Sequence, residues 1–365
     1  MRLGAACALV GALAQSPAPV QAQAWPVVLL DADTALDVWP SLDVDDDLAA
    51  VWLMIRGGGL AALTTTHGNA PAWATCRNSR RLAAALGALA PPMACGGGGY
   101  LWGGFAQQRD EAPGEAARLL VERTLAAEQP VVWVAVGALT NVAAALHARP
   151  ELVSRISSLV IMGGSLQGLP ELNFLADGEA TRFVLGLAGL RRVLLPLDLG
   201  KQVSVETAHL DRLARCIEAA EAAGGSARWV APHMALLYRH AVYFGLLNPL
   251  LFGADPHGPS IAERLAAGWR GQGQFHPWDV LASAFVTDRH LFGALSCWRV
   301  DLPKRRLVAS RCDPAEVGPC AAEPAGAACL SAAPPGVVMV PDSVDGAALV
   351  ELLLDTLCAV PAAAP

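Results

Sequence analysis

No stretch of consecutive lysines and arginines is long enough to form a nucleic-acid footprint, and only 16% of the 365 residues are charged, with a formal net charge of −7. The missing basic patch excludes the electrostatics of a nucleic-acid binder and leaves a small molecule or a cation as the fitting partner. No CxxC pair occurs among the nine cysteines, which excludes the common structural zinc sites. No repeat of solenoid length is visible, and no long linker divides the chain. The glycine-rich stretch GGGGYLWGGF, residues 96–105, lacks the Lys-Ser/Thr ending of a phosphate cradle and the strand-turn-helix setting of a dinucleotide fingerprint. It reads as a loop with Tyr100 and Trp102 at its tip.

What is present is apolar: 54% of the residues are hydrophobic, enough for a sizeable core in one large domain. The first 24 residues carry one early Arg2, an apolar stretch from Leu3 to Ala14, and Ala22-Gln23-Ala24 at the end, which is the three-part pattern of a cleavable secretory signal. The apolar stretch falls short of the ~20 residues that a spanning helix needs, so no membrane anchor is expected. The expectation is a periplasmic or secreted chain whose residues 25–365 form a single α/β domain. Of the cysteines beyond the leader, Cys76, Cys216 and Cys358 lie on Ala/Leu-rich helical segments and read as small buried hydrophobes. Cys312, Cys320 and Cys329 sit close together in the irregular Pro/Ala/Gly-rich stretch 310–336, where a local bridge fits an oxidising compartment.

From Trp25 to about Phe292, β-rich apolar runs alternate with helical ones. Strands are predicted at 27–30, 60–65, 131–136, 159–162, 193–196 and 337–340, and helices at 48–55, 73–85, 115–127 and 141–147. Such alternation predicts a mostly parallel central sheet flanked by helices, in which ligands bind beyond the carboxyl ends of the strands. DADTALDVWPSLDVDDD, residues 31–47, starts where the first strand should end, and seven of its seventeen residues are aspartate. Crowded carboxylates repel unless a positive group sits among them, and Ca²⁺, which takes six to eight oxygen ligands, is the natural answer. The other reading is a solvated acidic loop. An EF-hand is disfavoured, because its sixth and twelfth positions counted from Asp33 are Val38 and Val44 rather than Gly and Glu.

Two families offer themselves for VVLLDADT. Alone, it resembles the first motif of the haloacid dehalogenase phosphatases. Read on to DVDDDLA, it resembles the signature of the inosine-uridine nucleoside hydrolase family. HGNAPAWATCRNSRRL, VAVGALTNVAAAL, VIMGG, ELNFLADGEA and PWDVLASAFV are similar, in that order, to further segments of the same family, from Leu30 to about Asp288. The phosphatase reading also requires a lysine and a later acidic pair that find no convincing counterpart here.

The resemblance implies a Ca²⁺-dependent hydrolysis of the N-glycosidic bond of ribonucleosides, giving ribose and free base by metal-activated water. It assigns Asp33 as metal ligand and base, and Asp46, Asp279 and the backbone carbonyl of Val136 as further metal ligands. Asn69 would orient the water; Asp45, Glu171 and Asn173 would hold sugar hydroxyls, and Met162 ends the strand beside them. A register one residue later, with Asp46-Asp47 in place of Asp45-Asp46, is the alternative. Where many relatives carry His-Asp, this chain has Trp278-Asp279, with His276 two residues upstream. The tryptophan, together with Trp102, favours stacking on a purine base, while packing beside Asp279 is the other reading. Alternatives of function are hydrolysis of another N-riboside at the same metal site, or an exported nucleoside-binding protein without turnover. Relatives form dimers and tetramers, which implies a homo-oligomer.

Overall fold

The computed structural model describes residues 25–35, 43–57, 59–96, 104–109, 111–222, 274–303, 307–313 and 334–358. In chain order these form β1 (Val28–Ala32), α1 (Asp45–Arg56), β2 (Ala62–Thr65), α2 (Ala72–Leu86), β3 (Met93–Cys95), α3 (Phe105–Gln108), α4 (Glu115–Ala126), β4 (Val131–Ala135), α5 (Thr140–Ala148), β5 (Ile156–Met162), α6 (Leu172–Ala176), α7 (Gly178–Gly186), β6 (Arg192–Leu195), α8 (Leu197–Gly200), β7 (Val205–Glu206), α9 (Thr207–Ala222), β8 (Gln274–Phe275), α10 (Trp278–Thr287), β9 (Leu295–Asp301), β10 (Val308–Arg311), β11 (Val337–Pro341) and α11 (Gly346–Cys358). The leader and residues 97–103, with Tyr100 and Trp102, lie outside the described residues, as do Cys320 and Cys329.

Nine strands make one sheet in the order β10-β9-β11-β6-β5-β4-β1-β2-β3, and β7 pairs β8 separately. Every neighbour from β11 through β3 is parallel, while β9 runs antiparallel to both β11 and β10. The fold is α/β, and the stretch β3-β2-β1-β4-β5-β6 has the doubly wound order. The chain winds outward from β1 in one direction and from β4 in the other, so the crevice between their carboxyl ends is the topological switch point.

Helices cover both faces of the parallel sheet, so a strand such as β4, VVWVA, is buried throughout and reads as an apolar run. In β1, all five residues are buried. Alternation divides its side chains between the two cores: Val28, Leu30 and Ala32 join the side of α1, α10 and α11, and Leu29 joins the side of α4, α5 and α7. β4 repeats the division, with Val132 and Val134 on the first side and Val131 and Trp133 on the second. Among the described residues, no helix is long and apolar enough to cross a membrane.

Three disulfides correct the reading of the cysteines. Cys76 on α2 pairs with Cys95 at the end of β3, Cys216 on α9 with Cys358 on α11, and Cys297 on β9 with Cys312 after β10. Cys76, Cys216 and Cys358 are therefore bridged rather than free hydrophobes. Cys312 is not joined to its sequence neighbours, because antiparallel pairing sets it against Cys297, whose carbonyl accepts the Cys312 N–H at 3.1 Å. Helix and strand packing decide all three partners, at separations of 19, 142 and 15 residues.

One buried cation ties β6 to β11 and α7. Arg192 is 1% exposed and donates to the carbonyls of Val337 (3.2 Å), Val184 (3.2 Å), Leu187 (2.6 Å) and Pro334 (2.8 Å). Burial pulls its pKa down to about 10, which still leaves it charged at neutral pH. Arg192→Met fills similar volume but takes the donor from the Val337 and Leu187 carbonyls, while those of Val184 and Pro334 keep the N–H groups of Leu187 and Val337. At about 1–3 kcal/mol for each acceptor left unsatisfied, we expect a loss of at least ~2 kcal/mol in urea unfolding, and an unchanged midpoint would show that water replaces the guanidinium without penalty.

Candidate active site

The aspartates after β1 divide by direction once α1 forms. Successive helix positions point about 100° apart, so three consecutive aspartates cannot face one pocket. Asp46 turns towards the end of β1, where its Oδ1 accepts the Asp33 N–H at 2.9 Å and its Oδ2 accepts Nδ2 of Asn69 at 3.0 Å. Asp45 turns towards α10, and its Oδ2 accepts the Asp279 N–H at 3.2 Å. Asp47 points to α2, where Nδ2 of Asn78 donates to both its oxygens at 3.2 and 3.1 Å. Asp45 and Asp46 thus face Asp279 and Asp33, while Asp47 faces α2.

Helices α1 and α10 lie side by side and parallel. Asp45 meets Asp279, the Ser283 hydroxyl donates to the Ala49 carbonyl at 3.1 Å, and the Trp52 indole donates to Thr287 at 2.7 Å. At the far end Arg56 clamps Asp288 with two bonds of 2.6 and 3.0 Å. Both helix N-termini therefore open on the same spot, and their partial positive charge favours the carboxylates in their first turns.

Asp33 is fully buried at the switch point. Its Oδ2 accepts the Asn69 N–H at 2.6 Å, while its Oδ1 has no hydrogen-bond partner. Two glycines make room for it. A Cβ on Gly68, whose φ is +154°, would stand 2.0 Å from Asp33 Oδ2, and one on Gly137 would stand 2.9 Å from Oδ1. Either contact is closer than side chains tolerate, so GN after β2 and VG after β4 are conditions for this carboxylate to sit there.

Asp33, Asp45, Asp46 and Asp279 are each at most 4% exposed. Burial, and then the charges of their neighbours, raise all four: Asp33 is pushed up to about 8, and Asp45, Asp46 and Asp279 stand well above the ordinary carboxylate range. Among the described residues, no lysine, arginine or histidine pairs with any of them. Buried carboxylates without a cationic partner, an orphaned buried oxygen on Asp33 and hard oxygen donors throughout fit a divalent cation. A fifth carboxylate, Asp43, matches no position of the family signature. Its oxygen and those of Asp45 and Asp46 lie within 4.8 Å of one another.

The segment after β5 supplies the other wall. Glu171 caps α6, accepting the N–H groups of Asn173 (2.8 Å), Phe174 (3.0 Å) and Gly164 (2.8 Å), and its charge reaches Asp33 and Asp279. Asn173 donates Nδ2 to the carbonyl of Val136 at 2.8 Å and to the carbonyl and sulfur of Met162 at 3.3 Å each. The Val136 carbonyl keeps a second lone pair for another partner. His67, ahead of Gly68, is fully buried, and burial lowers its pKa.

On the remaining side, Trp278 is 7% exposed and packs where a Cβ on Gly200 would meet its ring at 2.0 Å. His276 lies 5.4 Å from it, ring to ring, and its Nδ1 approaches the Val203 carbonyl at 2.5 Å. A carbonyl only accepts, so Nδ1 carries the proton. Burial lowers the pKa of this imidazole as well.

A family model described as inosine-uridine preferring nucleoside hydrolase matches residues 28–345. Pyrimidine-specific ribonucleoside hydrolases from Salmonella typhimurium and Escherichia coli O81 are each 30% identical, over 46% and 47% of this chain. The matched segments span 61% and 64% of those relatives' own lengths. Among solved structures, a plant nucleoside hydrolase is similar with a TM-score of 0.64 at 19% identity, covering 92% of this chain and 99% of that one. A purine-preferring ribonucleoside hydrolase from Gardnerella vaginalis gives 0.61 at 19%, covering 91% and 98%.

Proposed function

The chain belongs to the inosine-uridine preferring nucleoside hydrolase family, and from that premise we propose that it hydrolyses the N-glycosidic bond of ribonucleosides to ribose and free base, with Ca²⁺ at the aspartate cluster. The observation that carries this reading is the set of four buried carboxylates at the switch point, unmatched by any cationic side chain among the described residues, with Asp33 Oδ1 buried and unpartnered.

Asp33, Asp46, Asp279 and the carbonyl of Val136 would hold the cation. When bound, it supplies Lewis acidity that lowers the pKa of water. Asp33 is placed to take the proton, since one of its oxygens is fixed by the Asn69 N–H and the other is open. Asn69 gives one N–H of its Nδ2 to Asp46, which leaves the second N–H and the Oδ1 for the attacking water. Cleavage builds positive charge on the ribose, as in O-glycoside hydrolysis, and the carboxylates around Asp45 favour that charge. Glu171 and Asn173 are bound to backbone groups on several sides, which holds them rigidly for sugar hydroxyls.

For the base, the proposal is a purine, on the apolar face that an indole at position 278 offers beside Asp279. Ribose release from inosine, guanosine, uridine and cytidine, with and without a chelator, tests both levels. Chelator-sensitive release is expected, fastest from the purines. Faster release from uridine or cytidine would overturn the purine preference alone. Stabilisation by nucleoside with no ribose formed from any would replace the enzyme by a binding protein.

Export to an oxidising compartment belongs to the same proposal. It is supported by the signal-like leader and by three cysteine pairs, since such bridges persist outside the reducing cytosol. Peptide mapping of non-reduced protein purified from the periplasm or medium is expected to find Cys76–Cys95, Cys216–Cys358 and Cys297–Cys312. Free thiols at these six positions would remove that support.

A further inference from the structure

We propose that Asp43 is a further ligand of the cation, contributed by the long segment between β1 and α1 and additional to Asp33, Asp46 and Asp279. This rests on the metal-dependent reading above and adds to it a residue that the motif resemblance passes over. The segment from Asp33 to Asp45 is longer than the tight turn the family signature implies, and Asp43 stands at its end, half-buried and two residues before α1.

Two observations place it at the site. Its carboxylate comes within 4.8 Å of those of Asp45 and Asp46, with one oxygen from each forming a compact triangle. Asp33, whose Oδ1 is fully buried and without a partner, adjoins that triangle, because its N–H binds Asp46 Oδ1 at 2.9 Å.

Helix capping does not account for Asp43. Its Oδ1 lies 3.5 Å from the Asp45 N–H, too long for a good hydrogen bond, and α1 has no side-chain cap. A purely solvated acid would sit away from four buried carboxylates, since the added repulsion has no return unless a cation is shared. Oxygen-ligand sites for Ca²⁺ are tuned by the number of charged ligands, so a fifth carboxylate in the cluster tightens binding.

The two roles of this charge have opposite signs and can be separated. In cation-free protein Asp43 adds repulsion; with the cation it adds attraction. Calorimetric titration of Ca²⁺ into chelator-stripped full-length mature protein is therefore paired with melting curves, for wild type, Asp43→Asn and Asp46→Asn. Asp43→Asn is expected to bind one Ca²⁺ at least ~10-fold more weakly, to melt higher than wild type without Ca²⁺, and to show a smaller rise on adding it. Asp46→Asn is expected to lose binding altogether. Wild-type affinity in Asp43→Asn, with binding still lost in Asp46→Asn, overturns the role of Asp43 and leaves the cation site standing. No Ca²⁺ binding by wild type overturns both. Should Asp43→Asn fail to fold, Asp43→Ser carries the same expectations and is overturned by the same results.

Discussion

Ribose release by Asp33→Asn protein is expected to fall by roughly 10²–10⁴-fold, the range that a positioned general base contributes, and the folded structure is expected to survive. The asparagine Oδ1 can keep the bond that Asp33 Oδ2 now accepts from the Asn69 N–H, and the Asp46 bond goes to the backbone of residue 33, so neither neighbour loses its partner. What is lost is the charge and the open oxygen. Burial and the charge of Asp43 both work against an anion at this position, and Asn removes that penalty. The same substitution should therefore raise the melting temperature of chelated protein while it removes turnover. Full activity in Asp33→Asn would exclude Asp33 as base and ligand. Lost activity together with lost folding would make its role structural.

Glycines explain why this position is readable from sequence at all. HGN after β2 and VG after β4 flank Asp33 so closely that any side chain at 68 or 137 would collide with it, and close approach is what ties those short segments to one another. The resemblance catches them as motifs; the contact distances give the cause. Similarly, β4 and β11 are legible because full burial makes them continuous apolar runs.

What escapes has equally physical reasons. β9 and β10 form the antiparallel edge, with mixed burial and polar residues such as Arg299, Ser310 and Arg311 among their positions, so no apolar run marks them. β3 is three half-buried residues, too short to carry a period. The disulfide partners depend on which helix lies against which, information that spacing does not contain. Asp43 escapes because the family signature is shorter than this aspartate run and has no acid at its position. The Asp45-Asp46-Asp47 register is ambiguous in one dimension and separates in three, since a helix sends each of the three carboxylates to a different neighbour.

The largest effect on stability should come from pH and cation together. Asp33 stands at about 8 in the folded protein, Asp31 at about 6 where burial outweighs its bonds to Thr64 and Asn141, and Asp45, Asp46 and Asp279 are all raised, against an ordinary value of 3.8. The folded state therefore holds protons that the unfolded state has already released between about pH 4 and 8, and stability must fall as pH rises through that window. Each proton of difference is worth about 1.4 kcal/mol per pH unit. Chelated protein is expected to melt at least ~5 °C lower at pH 8 than at pH 5. Ca²⁺ reverses the sign of the problem, because it binds the ionised carboxylates and stabilises only the folded state, by about 4 kcal/mol at a thousandfold excess over its dissociation constant. Its stabilising effect should accordingly be small at pH 5 and grow towards pH 8, until the downward slope is flattened or inverted. A chelated protein whose melting temperature stays level from pH 5 to 8 would mean that the cluster is compensated by something other than a cation. A slope that Ca²⁺ leaves untouched would assign the cluster to a different ion.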